Sequence, residues 1–306
     1  MKLADISKTD LSNRLKNEGI RLRIGPFVIL LNTRIEALSS ALKLLYGESE
    51  LAIDGGFSDF HISLDAPAGL RGYYRPQVLF YFDGQVPFKP LPITHAFPLF
   101  EWGLNWCIAK YVHQYLILHA AVLEKNNRSI IMPGPPGSGK STLCAALALR
   151  GWRLLSDEMA LVGLEDLSLT PVTRPVALKN ESIDIIQRFE SDAVLGPLSY
   201  DTSKGTVAHL QPPVDSMSRY LEKSGVSYIV MPRYSPESSN EVREMQQSSM
   251  LKELIRNSFN YNILREEGFR TACRLVDACG CFTLDFNNLD DALTSMDRVI
   301  HNSVNE

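Results

Sequence analysis

The chain has 306 residues, 45% of them hydrophobic and 22% charged, with a formal net charge of −4. That length can bury a large core and predicts two domains. The weak negative charge excludes a broad nucleic-acid-binding surface, and the lack of any apolar run of about 18 residues predicts no membrane span. The first residues have no signal-peptide core, and five cysteines at irregular spacing predict reduced thiols in a cytoplasmic protein. Cys279 and Cys281 stand too close together for a usual zinc pair and read as packing cysteines.

Residues 3–18 predict a short helix with a polar outer face and Leu11, Leu15 and Ile20 on its apolar side. Residues 21–24 and 27–31 read as strands around Gly25-Pro26. Leu38, Ala41, Leu42, Leu45 and Tyr46 recur at helical intervals over 35–46. Residues 60–64 and 77–82 predict two further strands, with a hairpin-type turn at Asp83-Gly84. Residues 1–95 are thus expected to form an α+β domain with a recognition or scaffolding role. It carries no nucleophile–base pair or metal-ligand set, and His61 and His95 read as structural histidines.

The proline-rich stretch 87–98 is expected to link this unit to a second domain, residues 96–306. Residues 99–115 predict a strongly apolar helix, packed between the domains or against the second sheet. Residues 116–123 predict a buried strand that His119 interrupts. An imidazole there faces something specific or sits at a strand end.

Next comes the most specific signal in the chain, Gly134-Pro135-Pro136-Gly137-Ser138-Gly139-Lys140-Ser141-Thr142. It matches the phosphate-loop pattern G-x-x-x-x-G-K-[ST] at every fixed position, between an apolar strand pattern (129–133) and a helical one (142–149). Glycines let successive amides converge on phosphate oxygens, and a helix N-terminus adds partial positive charge. The candidate nucleotide-binding residues are Gly134, Gly137, Ser138, Gly139, Lys140, Ser141 and Thr142. Lys140 would neutralise the outer phosphates, and the Ser141 hydroxyl would hold magnesium.

Residues 151–158 predict a strand ending in Asp157 and Glu158, 17 residues beyond Lys140. Ligands of open α/β sheets gather at the carboxyl ends of strands, which would set this acidic pair beside the γ-phosphate. An acid there can hold magnesium or take the proton of an attacking hydroxyl.

Leu118-His119, the glycine-rich loop and the run 151–158 together resemble the catalytic domain of the HPr serine kinase/phosphorylase family. The branch called HPr-kinase-related kinase A is the nearer likeness, through residues 101–107, Arg174-Pro175 and 204–210. The resemblance spans most of the chain and is most specific between His119 and Glu158. It implies an α/β fold, a P-loop nucleotide-binding catalytic domain similar to phosphoenolpyruvate carboxykinase and unlike eukaryotic protein kinases. It further implies that Asp157 is the general base toward a serine hydroxyl, that His119 lies in the site, and that Lys140 and Ser141 bind phosphate and magnesium. There are departures. Glu158 stands where the family has a second aspartate, Pro135-Pro136 replace an acidic residue and a serine, and the loop serving dephosphorylation is not legible. These weigh against reverse phosphorylase activity and against HPr as the substrate.

Arg174 and Lys179 could neutralise a transferring phosphoryl group or sit on the surface. Residues 195–213, with Lys204-Gly205 and His209, read as a long loop suited to a lid or acceptor contact. Residues 226–231 predict a strand and 232–249 a solvated polar run. Helical stripes follow from Leu251 and from Phe269, and Asn288 is set to cap a last helix carrying Leu289, Leu293, Met296 and Ile300.

The leading expectation is an ATP-dependent, magnesium-requiring phosphotransferase. It would move the γ-phosphoryl group to a hydroxyl, on a serine of a peptide or protein or on a small molecule. Asp157, His119 and Glu158 are its candidate catalytic residues, with Ser141 and Glu158 toward the metal. The alternative is a nucleotide-responsive regulatory module without catalysis. Neither reading involves nucleic acid or membrane, and both leave room for a homo-oligomer.

Overall fold

A computed structural model describes residues 1–53, 55–67 and 75–301. It is a mixed α/β structure built of several sheets and helices. The expected helix over 3–18 is divided, because the Ser7 hydroxyl accepts a hydrogen bond from the Asp10 amide at 3.1 Å and caps a new start. A turn at Leu3–Asp5 precedes the helix Lys8–Lys16. Leu11 and Leu15 are buried, whereas Ile20 opens a strand.

That strand, β1 (Ile20–Ile24), is followed by β2 (Phe27–Thr33), β3 (Phe60–Asp65), β4 (Gln77–Phe82) and β5 (Leu91–Pro92), paired in that order. Burial alternates along β2, so one face of the sheet carries Phe27, Ile29 and Leu31 into the core. The helices Glu36–Leu45 and Ala96–Tyr111 pack into that core. The second of these lies so close that a Cβ on Gly103 would meet the Phe80 ring at 2.1 Å. The proline-rich stretch is therefore no free linker. It supplies β5 and a turn at Ile93–His95, then enters the long helix three residues earlier than expected, with Pro98 tolerated in its first turn.

The strand expected over 116–123 is two strands. β6 (Tyr115–Leu118) and β7 (Ala120–Lys125) join different sheets, and His119 is the residue between them. Its amide donates to the Asn257 carbonyl at 2.6 Å, outside either ladder. β8 (Arg128–Pro133) and β9 (Arg153–Ser156) flank the glycine-rich loop and its helix, Lys140–Leu149. β10 (Ala160–Gly163) and β11 (Leu169–Thr170) complete a small sheet with β6. β12 (Val176–Lys179), β13 (Ser199–Thr202) and β14 (Gly205–Leu210) form another, so the expected loop 195–213 is largely a hairpin. β15 (Val226–Tyr234), β16 (Glu241–Glu244) and β17 (Gly280–Phe286) finish the main sheet. The polar run 232–249 thus holds an edge strand, and β17 went unforeseen.

The main sheet has the order β16-β17-β15-β8-β7-β9. β8, β9, β15 and β17 run in one direction, with β7 and β16 opposed. One face packs on the loop helix and the last helix, Leu289–His301. The other packs on Gln247–Arg256 and Glu266–Asp277. Side chains alternate between the two cores, as a strand requires: Ala121 and Leu123 to one, Ala120 and Val122 to the other. Asn288 caps the last helix by accepting from the Asp291 amide at 2.9 Å, as expected. Cys279 and Cys281 are buried free thiols. No described helix is long and apolar enough to cross a membrane.

A buried ion pair ties β9 to β7. Arg153 donates to Glu124 at 2.8 Å, with side chains only 3% and 7% exposed. Arg153 also donates to the carbonyls of Arg219 and Glu222. Removing the guanidinium would strand a carboxylate that Arg219, at 3.4 Å, only partly compensates. Arg153→Ala is expected to lower the unfolding free energy by about 3 kcal/mol, read from urea denaturation.

Candidate functional site

Four parallel strands deliver their carboxyl ends to one edge of the main sheet, and the predicted site residues gather there. β8 ends at Pro133 and passes into the glycine-rich loop, while β9 ends at Ser156 and is followed by Asp157. β7 runs the other way, so its first residue, Ala120, pairs with Pro133 and His119 falls at the same edge. Gly137 and Gly139 hold φ of +87° and +83°, the left-handed region in which glycine is unstrained. Gly139 has a second constraint, since a Cβ there would meet Phe286 at 2.7 Å and Tyr234 at 2.9 Å. The Tyr234 amide donates to the Ser138 carbonyl at 3.1 Å, pinning the loop to the end of β15. The Ser138 hydroxyl is buried without a hydrogen-bond partner.

Lys140 opens the helix and is buried. Its ammonium lies 3.0 Å from His119 Nε2. Burial lowers the lysine's pKa, against the opposing pull of Asp157 and Glu158. Burial and then the Lys140 charge push His119 down to about 4. A neutral imidazole accepting from the ammonium through Nε2 satisfies both shifts. The ring is also wedged edge-on against Phe259, 5.7 Å between centroids. His119 is therefore placed to aim Lys140.

Asp157 is 5% exposed. Its Oδ2 accepts from the Ala177 amide at 3.2 Å, while Oδ1 is buried without a hydrogen-bond partner. Burial, then the neighbouring Glu158 charge, raises its pKa to about 6, although Lys140, the Ala177 amide and the Ser141 hydroxyl pull it back. A carboxylate poised near neutrality can accept a proton. Glu158 follows a different course. Burial would raise it, but Lys179, Arg174 and Lys204 prevail and its pKa is lowered.

Glu158 is held from the long helix Ala96–Tyr111. Asn105 donates to its Oε2 at 3.0 Å, and Lys179 lies 3.9 Å from Oε1. Arg174 in turn donates to Asn105 Oδ1 and sits 3.5 Å from Glu101 Oε2, with both charged side chains almost fully buried. The Tyr46 hydroxyl closes the series by donating to Glu101 at 2.6 Å. Burial raises Glu101 to about 6 despite these partners. Of the expected metal-side residues, Ser141 thus acts on Asp157, whereas Glu158 is engaged by Asn105 and Lys179.

A cavity of about 360 Å³ lies on the far side of the acidic pair. The long helix contributes Glu101, Trp102 and Asn105, β12 contributes Lys179, and the β13–β14 turn contributes Lys204. His209, buried and pushed down to about 3 by desolvation, is a neutral part of the wall. Arg174 and Lys179, open between site and surface in the sequence, both line this cavity. Glu101, Asn105 and Tyr46 had not been assigned roles. The available signal was Glu101 and Asn105 four apart on an apolar helix, one above the other on the same face. Among the described residues no three His, Cys, Asp or Glu side chains gather as a metal cluster.

No family model matches the chain, and no curated protein matches it. Among solved structures, the HPr(Ser) kinase/phosphatase from Coxiella burnetii aligns with a TM-score of 0.29 at 12% identity, over 61% of this chain and 95% of that one. The likeness is distant and carries no argument about chemistry.

Proposed function

We propose that this protein is an ATP-dependent phosphotransferase that moves the γ-phosphoryl group of ATP to a hydroxyl. The observation that carries the reading is Asp157: a buried carboxylate with one free oxygen, beside a glycine-rich loop and its lysine on one side and a cavity on the other. The loop amides and Lys140 would hold the phosphates. The acceptor oxygen bonds to the γ-phosphorus as the bond from that phosphorus to the β,γ-bridging oxygen breaks. The hydroxyl proton passes to Asp157, and ADP leaves. Such transfer needs positioning and charge neutralisation above all.

The Ser141 hydroxyl with one carboxylate of the acidic pair suits magnesium, which takes few protein oxygens and leaves its other positions to phosphate and water. Bound magnesium would neutralise the phosphate oxygens. His119 keeps Lys140 aimed, and Asn105 and Lys179 fix Glu158. A peptide or protein serine and a small hydroxyl compound are both acceptors of the right chemistry.

The test is transfer of label from γ-labelled ATP into peptide, protein or metabolite fractions of a cell extract. Label that depends on the protein and on magnesium supports the reading. Nucleotide binding without transfer, in extracts holding its partners, would favour a regulatory module. The pH profile is a second check. Protonated Asp157 cannot accept a proton, so kcat/KM should rise with pH through about 6, the value burial imposes on the free enzyme. A profile flat between roughly pH 5 and 8 would remove Asp157 from the role of base.

A further inference from the structure

We infer that Tyr234 is the platform for the donor's purine base, holding it by its face so that ATP and GTP are bound alike. This rests on the kinase reading and adds to it where the nucleoside lies and how it is recognised.

The sheet order gives the direction. Asp157 follows β9, β7 separates β9 from β8 and its loop, and β15 lies on the opposite side of β8. The loop therefore stands between Asp157 and the end of β15, which are three strand spacings, or about 14 Å, apart. A triphosphate that brings its γ-phosphorus to Asp157 and crosses the loop carries its nucleoside out on the β15 flank.

Tyr234 stands on that flank. Its amide donates to the Ser138 carbonyl at 3.1 Å, and its Cβ would lie 2.9 Å from a Cβ on Gly139. Phe286, 1% exposed, meets the tyrosine ring edge-on with 5.6 Å between centroids and sets its plane. Tyr234 itself is 48% exposed, so the ring is open to a ligand beside the loop. Stacking on such a ring is available to any base. Phe259 is also an exposed ring, but it packs on His119 at the start of β7, on the flank of the γ-phosphate.

The amide side chains at the ends of β15 and β17 are spent on one another. Asn240 donates to Asn287 and to Asp291, each at 2.9 Å. Asn287 donates to the Ser238 carbonyl at 2.8 Å, and Asn288 donates to Asn287 at 2.7 Å. Adenine and guanine differ at their edges and offer the same kind of face. A site that stacks the base and does not read its edge accepts both.

Titration calorimetry of the full-length protein with magnesium tests this with ATP, GTP and tripolyphosphate, which has the phosphates and no base. ATP and GTP should bind within about tenfold of each other. Tyr234→Ala should weaken both about tenfold, the scale of one lost base stack, and leave tripolyphosphate unchanged. Tyr234→Phe, which keeps the ring, should bind ATP as the wild type does. Phe259→Ala should keep the wild-type ratio of ATP to tripolyphosphate affinity. The assignment is overturned if Tyr234→Ala keeps its ATP affinity, loses tripolyphosphate in the same proportion, or is no worse than Tyr234→Phe. It is equally overturned if GTP falls outside that range or if Phe259→Ala is the variant that loses the base. Failure of the wild type to bind ATP at all would instead overturn the kinase reading.

Discussion

Lys140→Ala is expected to lower kcat/KM for phosphoryl transfer roughly thousandfold, the scale seen when a preorganised charge aimed at a transition state is removed. Lys140 is buried at the start of the loop helix and is held by His119 at 3.0 Å, so no mobile surface lysine can replace it. ATP affinity should fall as well, because the lysine would meet the phosphates in the ground state. The folded structure should survive, since the variant removes a desolvated charge whose pKa burial already depresses. Initial-rate kinetics beside a thermal melt would check both halves. A variant that keeps its rate would detach this loop from the chemistry.

Asp157→Asn should separate binding from transfer. The asparagine side-chain oxygen can still accept from the Ala177 amide, so the strand end keeps its shape. It cannot take a proton. Turnover should drop by about 10² to 10⁴, the range assigned to general-base catalysis, while ATP titrates as before. An unchanged rate would leave Asp157 a structural acid. Loss of ATP binding together with rate would show that its charge serves the nucleotide and not the acceptor.

The two halves of this site differ in how they are written in the chain. The half around the glycine-rich loop lies in continuous runs: the loop carries its own turn chemistry, and Asp157 follows an apolar strand at a spacing set by one intervening helix. Local pattern is enough to find such residues. The cavity half is assembled from the helix Ala96–Tyr111, from Arg174 and from the β13–β14 turn. Each contributes one or two polar residues whose meeting is purely tertiary. Lys204 is the clearest case, reading as part of a long loop because β13 is short and half exposed. His119 was legible as an anomaly in an apolar run, yet the break it marks depends on the Asn257 carbonyl, 138 residues further along. β17 was hidden for another reason. Its run, Gly280–Phe286, opens on Gly280 and lies between two helices of stronger periodicity.

The core of the first sheet does not stop at the long helix. Ile117, Met159, Leu161, Val172 and Met217, all from beyond it, are buried in the same cluster as Leu22, Ile29 and Phe100. Cooperative unfolding follows such shared interiors. The first hundred residues and the nucleotide-side strands should therefore melt in a single transition, with amides of β2 and β10 exchanging with solvent on the same slow scale. Recombination between homologues would meet the same constraint. A crossover placed near residue 96 would join two half-cores shaped for other partners, so the segments ahead of and behind it must evolve together.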